Sequence, residues 1–195
     1  MDKTGSGLVE TLREAQTLLE GGFLTVRLDT VGLPDGSLAT REYVVHPGAV
    51  AVVPVLDDGR VVMVRQFRYP LGQVLLEFPA GKIDPGEPVW DCARRELREE
   101  TGYTARQWAR ACHIHNAAAY STEGIEIWFA RGLEPGAQAL DPGEFLEVVA
   151  MSEEELDRLA HAGELTDVKT LVGLQWLRQW RRGEWSLSWV TPGNS

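Results

Sequence analysis

Residues 81–103, GKIDPGEPVWDCARRELREETGY, constrain this chain more than any other stretch. Gly81 is followed after five residues by Glu87, and after seven more by Arg95-Glu96-Leu97-Arg98-Glu99-Glu100-Thr101-Gly102. The preceding run, Val74–Phe78, reads as a strand, and Pro88–Thr101 reads as a helix. Pro88 suits a first helical turn, where its missing N–H costs nothing. Gly102 stands just past the end, where a left-handed cap is wanted. Val89, Cys92, Ala93 and Leu97 recur at helical spacing, so that face packs on a core. Glu96, Glu99 and Glu100 then share another face of the same helix.

Three carboxylates so close repel one another. A solvated acidic helix face is the plain alternative, but charge runs seldom keep such fixed spacing. A divalent cation would neutralise the cluster, and hard oxygen ligands favour magnesium or manganese. Such a cation is commonly held by one or two carboxylates plus substrate phosphates, which points to attack on a diphosphate. Arg95 is expected to brace Glu87 or Glu99 rather than to clamp substrate. Gly81 lets the chain turn sharply and leaves the carbonyl of Ala80 free to face a metal.

A chain of 195 residues supports one good core, or a domain with a short extension. Its net charge of −10 argues against a nucleic-acid surface. An anionic substrate would therefore need a metal and local arginines. No apolar run approaches a membrane span, and the N-terminus lacks the apolar core of a secretory signal. Cys92 and Cys112 have no paired Cys/His spacing around them, which fits a reducing, cytoplasmic setting. His113 and His115 would share one face of a strand, with no third ligand near in sequence, so a structural role is expected.

Residues 1–7 are polar and Gly-rich and are expected to lack order. Val9–Glu20 is open between helix and strand: its composition favours a helix, yet Phe23–Asp29 alternates like a strand. The turn signal LPDG at 33–36 lets Ala39–Val45 return as a paired strand. Residues 1–45 are therefore expected to form a small antiparallel β extension, and residues 46–195 a catalytic domain. Val50–Leu56 and Arg60–Phe67 flank Asp57-Asp58-Gly59, a hairpin signal. Trp108–His115, Ile125–Ala130 and Phe145–Ala150 read as further strands. Ser152 caps a short helix to Ala160. Thr166 or Asp167 caps a last helix to about Arg181, with Leu171, Leu174 and Leu177 inward. The tail Trp185–Trp189 packs back. The pattern fits an α/β/α sandwich around a mixed sheet.

The segment 81–103 resembles the signature box of Nudix hydrolases at every fixed position. The resemblance spans roughly residues 15–180. It extends to REYVVHPGAV at 41–50, VVMVRQFRYPLGQVLLEFPAGKIDPGE at 61–87 and GELTDVKT at 163–170, which look like the ADP-ribose pyrophosphatase group. It implies a Nudix-type α/β/α sandwich, metal ligation by Glu96, Glu100 and the Ala80 carbonyl, and Glu99 as a third ligand. It implies structural parts for Gly81, Glu87, Arg95 and Gly102. It assigns Arg68 to the diphosphate or terminal ribose, Arg41 to the adenine or phosphates, and Phe23 to stacking on adenine. Arg65 and Arg68 point to opposite faces of a strand, so only one meets substrate. Glu123 in YSTE matches the candidate base, with Glu99 or Glu100 as the alternative. The group's N-terminal sheet swaps onto a partner subunit, so a homodimer is expected.

One departure stands out. The group carries a proline a few residues before that glutamate, where this chain has Ala117-Ala118-Ala119. The loop lacks that rigidity, which leaves other sugar nucleotides, GDP- or UDP-linked, and dinucleotides as competing substrates. The expected reaction is Mg²⁺-dependent hydrolysis of ADP-ribose to AMP and ribose 5-phosphate. A non-catalytic module that senses a nucleotide metabolite is the alternative from another class, and the intact Glu96/Glu99/Glu100 set argues against it.

Overall fold

The computed structural model describes residues 7–22 and 24–191. Phe23 and all but Gly7 of residues 1–7 lie outside the described residues. The chain divides into two compact units. One takes the residues up to Pro47 together with His115–Gly124; the other takes Gly48–Ile114 and the chain from Ile125 onward.

The first unit is a three-stranded antiparallel sheet, β1 (Thr11–Glu20), β2 (Thr25–Gly32) and β3 (Leu38–Val45), in the order β1-β2-β3. The β2–β3 turn closes at Leu33–Ser37, with Gly36 at φ 88°. The helix favoured by composition in Val9–Glu20 is not formed. Thr11–Glu20 pairs along its length with β2, with two register shifts. All ten of its residues are exposed, so ladder hydrogen bonds rather than burial fix its conformation. The loop after residue 116 belongs to this unit. Val44 of β3 exchanges backbone bonds with it: Val44 N–H donates to the Tyr120 carbonyl (2.9 Å), and the Val44 carbonyl accepts from Thr122 N–H (3.0 Å).

The second unit is a mixed sheet with helices on both faces. Its elements are β4 (Ala49–Val55), β5 (Val61–Arg68), β6 (Gln73–Glu77), β7 (Ala80–Lys82), α1 (Val89–Thr101), β8 (Thr104–His115), β9 (Gly124–Glu134), β10 (Leu146–Met151), α2 (Glu153–His161) and α3 (Val168–Arg181). The strand order is β10-β5-β4-β9-β8, with β6 paired to β5 and β7 to β4. β4 runs parallel to β9 through seven register pairs and antiparallel to β7. Every residue of β4 is buried, as a strand covered on both faces requires. Val50 and Val52 pack under α1 with Cys92, Ala93, Leu97 and Trp108. Val53 and Val55 face the other way, into a cluster with Phe78, Leu156, Leu174 and Leu177 from the α2 and α3 side.

Ser152 caps α2 through a capping box with Glu155, and Asp167 caps α3. Leu174 and Leu177 are core residues, but Leu171 is exposed, a correction to the inward stripe. The apolar face of α3 is wider and turned toward Trp176 and Trp180. The tail returns, with Trp189 beside Trp180 and Val190 bridged to Trp108 on β8. Among the described residues, no helix is long and apolar enough to cross a membrane.

Candidate active site

β7 ends the run PAGK and delivers the chain, through a short loop, to the start of α1 with Pro88 as N-cap. Gly81 stands directly over the helix. A Cβ there would fall 2.0 Å from the Glu96 carboxylate carbon, so only glycine lets strand and carboxylate approach so closely. Gly102 ends α1 at φ 77°, and a Cβ there would lie 2.5 Å from the Gly136 carbonyl oxygen. The segment that follows closes the helix terminus: Ala139 N–H donates to the Glu99 carbonyl (3.0 Å) and Gln138 Nε2 to the Glu100 carbonyl (2.5 Å).

Arg95 gathers the glutamates. Its Nε and NH2 grip Glu87 at 2.8 and 2.9 Å, and NH1 donates to Glu96 at 2.7 Å and Glu99 at 3.1 Å. NH2 also donates to the Lys82 carbonyl at 3.0 Å, which ties the helix to β7. Hydrogen bonds from Arg95 hold Glu87 down at about 2. Burial pushes Glu96 up to about 7 against the Arg95 charge. Burial pushes Glu100 up to about 8, the Ala80 N–H opposing it and the charges of Glu96 and Glu144 adding to it.

This donor set suits a hard divalent cation. Glu96 shares the single Arg95 with Glu87 and Glu99, and the ionised form of buried Glu96 and Glu100 costs free energy, so a cation would supply further countercharge. Among the described residues, no three His, Cys, Asp or Glu side chains converge on one point as placed.

Sequence reasoning missed Glu144. It sits just before β10, accepts from Gln66 Nε2 at 3.1 Å, and its charge acts on both Glu96 and Glu100. Its signal in the sequence, an acidic residue after Asp-Pro-Gly, is weak because it lies far from the box along the chain. Arg68 ends β5 in a bidentate pair with Glu77, both bonds 2.7 Å. Arg65, on the same strand, pairs with Glu147 instead.

The remaining candidates belong to the first unit. Arg41, on β3, is bound by both carboxylate oxygens of Glu10, one of them at 2.9 Å from Nε. Glu123 accepts from Asn116 Nδ2 at 3.0 Å and lies 3.7 Å from His46 Nε2. Within this unit, Arg41, Tyr43, Asp29 and residues 118–122 line a cavity of about 410 Å³. The alanine loop is held without proline: the Tyr120 and Ser121 N–H groups both donate to the Ala117 carbonyl, at 3.0 and 2.9 Å. Phe23 lies outside the described residues. His113 contacts Glu126 at 3.0 Å beside Arg110, and both cysteines are free.

A strand, a glycine turn and a helix whose buried glutamates are braced by one arginine define a class of phosphate-handling enzyme. The chain belongs to the NUDIX domain family, whose pattern it matches over residues 45–171, and it is a Nudix hydrolase. Residues 10–44 match the nucleoside diphosphate sugar hydrolase N-terminal domain. The chain is 36% identical to the ADP-ribose pyrophosphatase of Bacillus subtilis (strain 168), across 84% of this chain and 89% of that one. It is 34% identical to the methanol dehydrogenase activator of Bacillus methanolicus, across 85% and 90%. A crystal structure of an ADP compounds hydrolase matches with a TM-score of 0.80 at 26% identity, over 90% of this chain and 95% of that one.

Proposed function

We propose that this chain hydrolyses ADP-ribose to AMP and ribose 5-phosphate with magnesium, or manganese in its place. The observation that carries the reading is the pair of buried, cation-hungry carboxylates, Glu96 and Glu100, beside the Gly81 turn. The names of its relatives, ADP-ribose pyrophosphatase and ADP compounds hydrolase, support the substrate. Glu96, Glu100 and the Ala80 carbonyl would hold the cation, with Glu99 beside them. When bound, the cation neutralises diphosphate charge and acidifies water. Arg95 keeps Glu87, Glu96 and Glu99 aligned, and Arg68 meets the diphosphate. The resemblance assigns Phe23 and Arg41 to the nucleoside and proton abstraction from water to Glu123. Glu99, Glu100 and Glu144 are the competing bases, Glu144 because its charge bears on both metal carboxylates.

The same reading takes residues 1–45 as a dimerising β extension, 46–195 as the catalytic domain, and the reducing cytoplasm as the compartment. The long exposed edge of β1 supports dimerisation, because an unpaired edge invites a partner. The second substrate reading, another sugar nucleotide, is favoured by the proline-free loop at Ala117–Ala119 and by the family of residues 10–44. The test is hydrolysis of a panel of ADP-ribose, GDP- and UDP-sugars, dinucleotides and nucleoside triphosphates in excess magnesium. A lead for ADP-ribose supports the first reading, a lead for another sugar nucleotide the second, and no turnover overturns both.

A further inference from the structure

Three buried polar side chains of the second unit, Glu77, Lys169 and Thr170, lie outside the carboxylate box and form one network. Glu77, the last residue of β6, takes two bonds from Arg68. Lys169 Nζ donates to the same Glu77 Oε2 and, at 2.9 Å, to Asp167 Oδ1. Asp167 Oδ2 accepts from the Thr170 N–H (3.0 Å) and hydroxyl (2.6 Å). The Thr170 hydroxyl oxygen accepts from the Phe78 N–H at 3.0 Å, two residues before Ala80. The network joins the N-terminus of α3, the end of β5 and the lead into β7.

Local preference argues against this arrangement. Lys169 lies in the first turn of α3, where the helix dipole disfavours a cation, and its side chain is buried. Packing alone would be met by an apolar residue at that position. The charge balance suggests what the lysine does. Arg68 and Lys169 together balance Glu77 and Asp167, so without Lys169 the two carboxylates would outnumber Arg68 and the cluster would turn net negative. Arg68 meets solvent there, with 38% of its side chain exposed. Arg68 is also close enough to Glu100 for their charges to interact.

We propose that Glu77 and Lys169 are positioning residues that act through Arg68: Glu77 fixes its guanidinium beside the carboxylate box, and Lys169 keeps Glu77 and Asp167 from outweighing its charge toward the substrate diphosphate. This rests on the reading above that Arg68 meets the diphosphate.

The test is a double-mutant cycle on the full chain. Calorimetric binding of inorganic pyrophosphate with magnesium is read beside kcat and KM on ADP-ribose. Lys169→Met is expected to weaken pyrophosphate binding and raise KM about tenfold, or about 1.4 kcal/mol, with kcat held within about twofold. Lys169→Arg is expected to restore both. In an Arg68→Ala background, Lys169→Met should have no further effect, because its route is gone. Should Lys169→Met fail to fold by circular dichroism, Lys169→Gln, which still donates to Glu77, completes the same cycle. Equal weakening in both backgrounds, no weakening, or no pyrophosphate binding by the wild type would overturn the proposal. Turnover of ADP-ribose with an additive cycle sinks only this inference. No turnover on the nucleotide panel sinks the proposed function as well.

Discussion

Glu77 and Glu100 are both almost fully buried in the second unit, at 1% and 3% exposure, yet their carboxyls move in opposite directions. For Glu77, burial pushes the pKa up, but the bonds from Arg68 and the charge of Lys169 outweigh it, and the group ends below its ordinary value. For Glu100, burial is joined by the charges of Glu96 and Glu144, and the group rises to about 8. Depth of burial is the same; the partner is not. One carboxylate completes its electrostatics inside the chain. The other leaves a place for a charge from outside.

The sharpest way to break this contrast is to neutralise each carboxylate in turn. Glu100→Gln should lower kcat by about 10²–10³-fold, in the range seen for loss of a key electrostatic group in an active site. Its melting temperature without cation should not fall, because a carboxyl raised to about 8 is largely neutral at pH 7 and the amide replaces it at the same size. A variant turning over near the wild-type rate would end the assignment. Glu77→Gln should do the reverse to stability, lowering it by about 3 kcal/mol, because Arg68 and Lys169 lose their shared acceptor. Urea unfolding measures it, and an unchanged midpoint would show that the network carries little.

Added magnesium should sharpen the contrast further. At about 100 times its dissociation constant it should raise the melting temperature of wild type by roughly 5–10 °C. The Glu100→Gln variant should show a much smaller rise, and an equal shift in both would place the cation elsewhere. The smallest effect is in acid. Glu77 has a lowered pKa in the folded state, so its contribution is complete above the unfolded carboxylate value near 4.5. It is lost as pH falls from there through the lower folded value. The stability gap between wild type and Glu77→Gln should therefore narrow below about pH 4.5. A gap that stayed constant into strong acid would contradict the pairing.

Legibility in the sequence followed the range of the interactions. The turn and helix of residues 81–102 could be read because their signals are local: spacing of carboxylates, an apolar stripe and a terminal glycine. The edge strand β1 could not, because TLREAQTLLE has helical propensity and no buried face, and only its pairing with β2 decides the matter. Arg68 shows the same limit at the site. Its place on a strand, on the face opposite Arg65, was readable, but its bond to Glu77 depends on the β5–β6 pairing. Lys169 reaches Glu77 across 92 positions, and no local pattern announces such a contact. Glu144 is a similar case, reaching Gln66 across 78 positions.

The closure of α1 by the segment after Gly136 has a consequence for how the protein is made. The carbonyl of Glu100 is capped by a side chain 38 positions downstream. At typical elongation rates that residue is added roughly 2–8 s later. During synthesis the helix bearing the acidic residues therefore leaves the ribosome with a frayed end. Those residues gain their final geometry only once the later chain arrives, so a nascent chain carries an unfinished acidic cluster while those 38 residues are added.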